Sequence, residues 1–394
     1  MTLQEDALEL HRRLRGKIEV RAKEAVTKDT LKLLYTPGVA EPCLQIAKDK
    51  SKVWEYTGKW NSVAVVSDGS SILGLGNIGP LAGLPVMEGK AVLFKELAGI
   101  DAIPIVLGTQ DTEEIIKTVR NISPSFGGIN LEDISAPRCF EIEERLQDVG
   151  IPIFHDDQHG TEIVVTAGLI NACKVLKKDF SDLTVVVSGA GAAGISISKM
   201  LTCTGFDNSV CSSVKNLILC DSKGIVDRDR KDLDKKKKEL AGITNKSNKT
   251  GGLKEALVGA DVFIGVSKPG LLTKEMFKTM NKNPVIFAMA NPVPEIMPQD
   301  ALDAGTAIVG TGRSDFPNQI NNSLAFPGIF RGALDSRAKK ITPGMRMAAA
   351  KALSTFVKNP DKDHILPHAL DKESVKNIAS AVKKAANEEG VSQI

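Results

Sequence analysis

The sequence predicts an α/β protein of two domains, the second a doubly wound, mostly parallel sheet. Three observations predict it. At 394 residues the chain is long for one ordinary core, so two domains of roughly 150–200 residues are expected. Near-continuous apolar runs alternate with helical segments, the pattern of parallel strands covered on both faces. A glycine turn joins one apolar run to a helix in "LTVVVSGAGAAGISISKML" (183–201), the strand–turn–helix order that opens a doubly wound sheet. A boundary near residue 160 divides the chain into units 1–160 and 161–394.

In the first unit, "TKDTLKLL" reads as a short helix that Pro37 must end. That leaves Tyr35 at a helix terminus beside a rigid turn. "SVAVVSDGSSILGLG" (62–76) reads as two strands around an Asp68-Gly69 turn. "DAIPIVLGT" (101–109) is a strand, and "DTEEIIKTVRNI" (111–122) a helix capped by Asp111. "FGGINLED" (126–133) and "IPIFHDD" (151–157) are strands that each run into two acids. Between them "APRCFEIEERLQDVG" (136–150) is a helix with Pro137 at its start and Gly150 at its end. "TEIVVTAGLINACKVL" starts a helix into the second unit. There "NLILCD" (216–221), "ADVFIGVS" (260–267), "PVIFAMAN" (284–291) and "TAIVGTG" (306–312) are further strands.

The 51 basic residues nearly cancel 48 acidic ones, which gives no reason to expect a nucleic-acid partner. The basic run "KDLDKKKKEL" (231–240) reads as a solvated helix face. No apolar run is long enough to cross a bilayer, and "MTLQEDALELHRRLRGK" is unlike a signal peptide. A cytoplasmic protein with no membrane partner is therefore expected. The six cysteines (43, 139, 173, 203, 211, 220) form no CxxC pair and read as reduced thiols.

Gly189, Gly191 and Gly194 form GxGxxG between strand and helix. The first glycine permits the tight turn, the second a close approach to a pyrophosphate, and the third close helix–strand packing. The second domain is thus expected to be a Rossmann-type NAD(P) binder. Asp221, at the end of the next strand, is placed to accept from an adenosine ribose hydroxyl, which points to NAD. Ser222, Lys223 and later lysines point equally to the 2′-phosphate of NADP, so the choice stays open.

Glu132-Asp133 and Asp156-Asp157 end two strands of one parallel sheet. Carboxylates converging there repel unless a cation neutralises them, and oxygen-only ligands suit Mg²⁺ or Mn²⁺. Helix capping by Asp133 and Asp157 is the competing reading. His155 and His159 flank the second pair and read as structural. Lys90 and Lys95 read by default as surface lysines. Yet Lys90 follows Gly89 at an expected helix start, where the dipole disfavours a cation, which suits a lowered pKa and a general base. Asn291, Asn321 and Asn322 lie where amides could orient a carboxylate substrate or build turns.

Longer stretches carry a resemblance. "YTPGVAEPC", "GLGNIGPLAGLPVMEGKAVLFKELAGIDA", "INLEDI", "FHDDQHGT", "VSGAGAAG", "FAMANPVPEI" and "GTGRSDFPNQINNSLAFPGI" resemble the malic enzyme family in its compact microbial form, nearly end to end. The resemblance implies oxidative decarboxylation of (S)-malate to pyruvate with NAD or NADP and Mg²⁺ or Mn²⁺. It implies Tyr35 as general acid and Lys90 as general base. Glu132, Asp133 and Asp157 become metal ligands. Gly191, Ala192, Ala193 and Gly194 lie under the dinucleotide phosphates. Asn291 and Asn321 hold substrate carboxylates, with Asn322 able to share the task. A homodimer is implied, and the segment from Leu3 to Leu14 shows leucines near a helical spacing that need a surface to cover them. One departure stands out: Ser71 occupies the place of a carboxylate-clamping arginine found in larger members, so other donors must serve, among them asparagines, backbone amides or a partner's lysine. An amino-acid dehydrogenase would need no carboxylate-rich metal site, and a sensing domain would have lost Lys90 or a ligand.

Overall fold

The computed structural model describes residues 2–207 and 209–394. Four short helices come first: α1 (Leu3–Leu14), α2 (Lys28–Leu34), α3 (Ala40–Lys48) and α4 (Val53–Tyr56). The chain then alternates β1 (Ser62–Ser67), α5 (Pro80–Ala98), β2 (Asp101–Val106), α6 (Thr112–Ile122), β3 (Gly128–Leu131), α7 (Arg138–Leu146) and β4 (Ile153–His155). Helix α8 (Asp156–Leu176) leads to β5 (Thr184–Ser188), α9 (Ala192–Leu201), β6 (Asn216–Asp221), β7 (Gly224–Ile225) and α10 (Lys235–Ile243). Next come α11 (Leu253–Leu257), β8 (Val262–Gly265), α12 (Lys274–Phe277), β9 (Val285–Ala288), α13 (Pro298–Asp303) and β10 (Ile308–Thr311). Helices α14 (Phe326–Asp335), α15 (Pro343–Phe356) and α16 (Lys372–Glu388) close the chain.

The first sheet is wholly parallel in the order β2-β1-β3-β4. Its central strand reads Val63-Ala64-Val65-Val66, none of them exposed, because helices cover both faces. The second sheet runs β10-β9-β8-β5-β6-β7, parallel except for the β7 edge. Its order reverses between β5 and β8, and the crevice outside the carboxyl ends at such a reversal is where open α/β sheets bind ligands.

The two sheets share one apolar core. The last helices fold back onto the first sheet: Phe94 of α5 packs on Phe326 and Phe330 of α14, with ring centroids 4.6 and 5.3 Å apart. Phe330 also meets Phe154 of β4 edge-on at 5.8 Å. A cut at residue 160 therefore passes inside α8, a helix that continues without break from the last strand of the first sheet.

Several local expectations change. Residues 70–76 do not form a second strand after β1. Gly69, Gly76 and Gly79 take positive φ, and the stretch becomes a loop closed by the Ile72–Gly76 bridge. At Gly74 an added Cβ would stand 1.7 Å from the Asn291 carbonyl oxygen, so only glycine allows this loop to lie against the Asn291 turn. Lys90 is not at a helix start but in the middle of α5, which begins at Pro80 and runs through Pro85 and Gly89. Cys203 and Cys211 form a disulfide. The chain reverses after α9 and brings their Cα atoms to 5.8 Å, within bridging distance.

Candidate active site

Register brings the acid pairs together. Strands β3 and β4 are neighbours with Leu131 opposite His155, so the residues that follow them emerge side by side. Glu132, Asp133 and Asp157 each place a carboxylate oxygen within 4.8 Å of the others. Asp133 has φ 53°, a left-handed conformation that aspartate tolerates better than most residues. Its N–H donates to Asp157 Oδ2 at 2.8 Å. Capping does not explain the acids: α8 starts at Asp156 with His155 as its N-cap, and the helix after Asp133 begins only at Arg138. Asp133 Oδ2 is buried with no hydrogen-bond partner. Burial pushes the Asp133 carboxyl up to about 9, helped by Asp157 and Glu132. Burial likewise raises Glu132 and Asp157. Three oxygen-only groups, Glu132 and Asp133 buried and Asp157 partly exposed, with an orphaned acceptor fit a hard divalent cation.

Lys90 is 7% exposed. Its Nζ lies 2.5 Å from both Glu132 Oε1 and Asp156 Oδ2 and 4.6 Å from the centroid of the Phe326 ring. Burial pulls its pKa down, but Asp156, Glu132 and Asp157 outweigh burial and hold it above the usual lysine range. The expected lowering is thus reversed, because Lys90 is itself the counter-ion of the acids. Lys95 is exposed and pairs with Asp101 at 2.6 Å. His155 is fully buried, and burial lowers its pKa to about 4. His159 lies 2.9 Å from Glu143 and 3.1 Å from Glu162.

A cavity of about 610 Å³ lies over these groups. Lys90, Glu132, Asp133 and Asp157 line it, and from the second sheet Ala193, Asn291, Asn321 and Asn322 complete it. Asn321 also caps a turn, accepting from the Ser323 N–H at 2.9 Å and donating to the Gly312 carbonyl at 3.2 Å. Ser71 donates its N–H to the Asp133 carbonyl at 3.0 Å and is not in the lining. His11 and Lys17 are there instead, with Lys17 Nζ held by the Pro85 carbonyl at 2.7 Å. Nothing in the local sequence marked these two; α1 itself carries His11 to the cavity, and the return of the chain after α1 brings Lys17.

The glycine turn opens beside the cavity. Gly189 has φ +116°, and a Cβ on Gly194 would lie 1.7 Å from the Gly189 carbonyl oxygen. A Cβ on Gly191 would meet nothing within 4 Å, so the space ahead of α9's N-terminus is open, where backbone N–H groups and the helix dipole favour phosphate. Ala192 and Ala193 form the first turn of α9.

Two expected site residues are placed differently. The Asp221 carboxylate is engaged within the chain. Its Oδ1 accepts from Arg230 Nη1 and the Lys223 N–H at 2.8 and 3.0 Å, and its Oδ2 from Arg230 Nη2 and Lys237 Nζ at 3.1 and 3.0 Å. The lysine run is accordingly not wholly solvated, since Lys237 is drawn onto this carboxylate. Tyr35 is 68% exposed and is not among the residues lining the cavity. In α1, α2 and α3 no residue is buried.

The family model for the malic enzyme N-terminal domain matches residues 15–147, and that for the malic enzyme NAD-binding domain matches residues 158–387. The chain belongs to the malic enzyme family. It is 55% identical over 400 residues to the bifunctional malic/malolactic enzyme of Bacillus subtilis, covering all of this chain and 95% of that protein. It is 52% identical to the NAD-dependent malic enzyme of Geobacillus stearothermophilus, covering 96% of this chain and 78% of that one. The NADP-dependent malic enzyme of Escherichia coli is 45% identical, and the match spans 99% of this chain but 53% of that protein. The crystal structure of NAD-dependent malic enzyme from Thermotoga maritima superposes with a TM-score of 0.91 at 50% identity, over 96% of this chain and 99% of that one. This chain is a malic enzyme with a Rossmann-type second domain, and relatives named for each dinucleotide leave the preference between NAD and NADP to the site itself. No helix among the described residues is long and apolar enough to cross a membrane.

The glycines make separable predictions. Gly194→Ala lowers the thermal midpoint, because α9 must move off the Gly189 carbonyl. Gly191→Ala leaves the midpoint unchanged within about 1 °C, since a surface change without new contacts costs under ~0.5 kcal/mol. It still weakens dinucleotide binding, measured by calorimetry, because its methyl enters space left for the pyrophosphate.

Proposed function

We propose that the enzyme converts (S)-malate to pyruvate and carbon dioxide with reduction of NAD(P)⁺, requires Mg²⁺ or Mn²⁺, and works as a homodimer in which the partner subunit's Tyr35 completes each site. The observation that carries the chemistry is the single cavity that holds Lys90, three converging carboxylates and the amides of Asn291 and Asn321. Glu132, Asp133 and Asp157 would hold the cation. When bound, the cation supplies Lewis acidity at the malate C2 oxygen and the oxidised nicotinamide a hydride acceptor.

The chain's own groups do the rest. Lys90 takes the proton from the C2 hydroxyl. Asn291 and Asn321, with Asn322 beside them, orient the substrate carboxylates, and Lys17 supplies the positive charge that Ser71 does not. After the C4 carboxylate leaves, the enolate carbon C3 needs a proton, and a tyrosine hydroxyl is a feasible acid beside a lysine ammonium.

The dimer follows from what the single chain leaves uncovered. Leu3, Leu8 and Leu14 on α1 are 78%, 65% and 44% exposed, and Leu33 beside Tyr35 is 67% exposed. An arm with an apolar face and no core of its own is built to lie on another surface. A second copy supplies that surface and carries Tyr35 to a cavity that its own chain does not place it in.

Cofactor choice falls to NADP on this reading. The acceptor positions of Asp221 are filled, so a ribose diol finds none free. Between Asp221 and Lys238 eight lysines and arginines stand against five aspartates, an excess that favours a 2′-phosphate. Malate oxidation is expected to show at least about tenfold higher kcat/KM with NADP than with NAD. A preference for NAD that disappears in Asp221→Asn would return that carboxylate to the ribose.

Mixing two inactive variants tests the shared site. Tyr35→Phe is expected to lose roughly 10²–10⁴-fold in pyruvate formation, and Lys90→Arg removes the base while keeping the charge. If the partner supplies Tyr35, a mixed dimer has one doubly defective site and one intact site. Co-expressed variants then recover about one quarter of wild-type activity from random pairing. Mixed dimers without recovery would place Tyr35 in its own chain's site or outside the reaction.

A further inference from the structure

A second cavity, of about 330 Å³, is lined by Gln158 and His159 of α8, next to the Asp157 that lines the catalytic one. Four cations from four elements line it: Lys199 of α9, Lys236 of α10, Lys340 of the loop before α15, and Arg346 of α15. Two carboxylates, Glu143 and Glu144 of α7, face them.

The lining carboxylates pair with Lys236 alone among the lysines. Glu143 is committed to His159 Nε2 at 2.9 Å, Gln158 Nε2 at 3.1 Å and the His155 N–H at 3.0 Å. Glu162, which is 1% exposed, accepts from Arg346 and from Ser196. Glu144 reaches Lys236 only at 3.5 Å. Among the described residues, Lys199 and Lys340 have no carboxylate within ion-pair distance. Lys199 is half-buried, and burial together with the nearby Lys236 lowers its pKa against the pull of Glu239 and Glu162. Like charges brought together in a partly desolvated hollow are unfavourable unless something answers them.

We propose that this cavity is an anion subsite that binds a compact dianion, a phosphate or a short dicarboxylate. Its volume suits such a ligand and is at the low end for anything larger. The ammonium groups of Lys199, Lys236 and Lys340 bind it as point charges, and Arg346 stays locked on Glu162. The subsite bridges α7 of the first domain to α9, α10 and α15. It shares two helices with the catalytic cavity. On α8, Gln158 and His159 face the anion subsite and Asp157 the catalytic one; on α9, Lys199 faces the first and Ala193 the second.

The test is calorimetry of the full-length enzyme with inorganic phosphate and, separately, with succinate, in wild type and in Lys199→Gln/Lys340→Gln. Succinate can also enter the catalytic cavity, so the comparison between proteins decides. The proposal expects at least one of the anions to bind wild type at millimolar concentration, and that binding to weaken at least about tenfold in the double variant. The variant keeps its kcat for malate within about twofold, which shows the fold intact. Phosphate binding lost in the variant identifies a phosphate site, and loss confined to succinate a dicarboxylate site. No binding of either anion to wild type, or equal binding by the two proteins, overturns the proposal. Lys340→Gln alone, a change at an exposed side chain, repeats the measurement should the double variant not fold.

Discussion

Four carboxylates at the ends of two adjacent strands, answered by one buried lysine, are the constraint on which the rest of this molecule depends. Glu132, Asp133, Asp156 and Asp157 are held together by backbone register, and the chain places a single ammonium, Lys90, between Glu132 and Asp156. Removing one partner of a buried charge set costs about 3–5 kcal/mol, because the remainder is left uncompensated. Four acids with one lysine are still short of positive charge. On the proposed reading, a divalent cation held by Glu132, Asp133 and Asp157 would make up that shortfall and take over from Lys90 the task of neutralising Glu132. Counter-ion and proposed base would then be two occupations of one side chain.

The fold serves that arrangement. Parallel pairing of β3 and β4 delivers both acid pairs to the same edge. Helix α5 must pass close over that edge for Lys90 to reach down, and it is anchored by Phe94 against Phe326 and Phe330. Phe326 also roofs the Lys90 ammonium, so the packing that joins the two domains also positions this lysine. Helix α8 begins on the acids and ends in the second domain, and α9 carries the glycine turn to the opposite wall. Catalytic cavity and domain junction are therefore the same place.

Much of this was legible in local sequence, and the reasons are local. The strand–glycine–helix signature at 183–201 is written within 19 residues, and Gly189 and Gly194 have the steric duties their positions imply. The acid pairs announced themselves because each follows an apolar strand. Other features depend on distant partners and were not legible. The Asp221 carboxylate looks free until Arg230, nine residues on, folds back over it. Residues 70–76 alternate like a strand, yet the Asn291 turn, more than 200 residues away, takes the place of a pairing partner. Lys90 reads as following Gly89 at a helix start, whereas α5 begins ten residues earlier at Pro80 and runs through both Pro85 and Gly89. Cys203 and Cys211 meet only because the chain reverses after α9. Tyr35 shows the limit most clearly: its motif names a role, and a single chain leaves its ring in solvent.

Metal binding by the acid cluster is the centre of this account, and Mn²⁺ binding measures it most directly. Equilibrium binding followed by the electron paramagnetic resonance of free Mn²⁺, without substrate or dinucleotide, counts sites and ranks variants. The account predicts one Mn²⁺ per chain in wild type, a loss of at least about tenfold in affinity in Asp157→Asn as an oxygen ligand is weakened, and retained binding in Asp221→Asn. Wild-type protein that binds no Mn²⁺, or Asp157→Asn that binds it as wild type does, would contradict it.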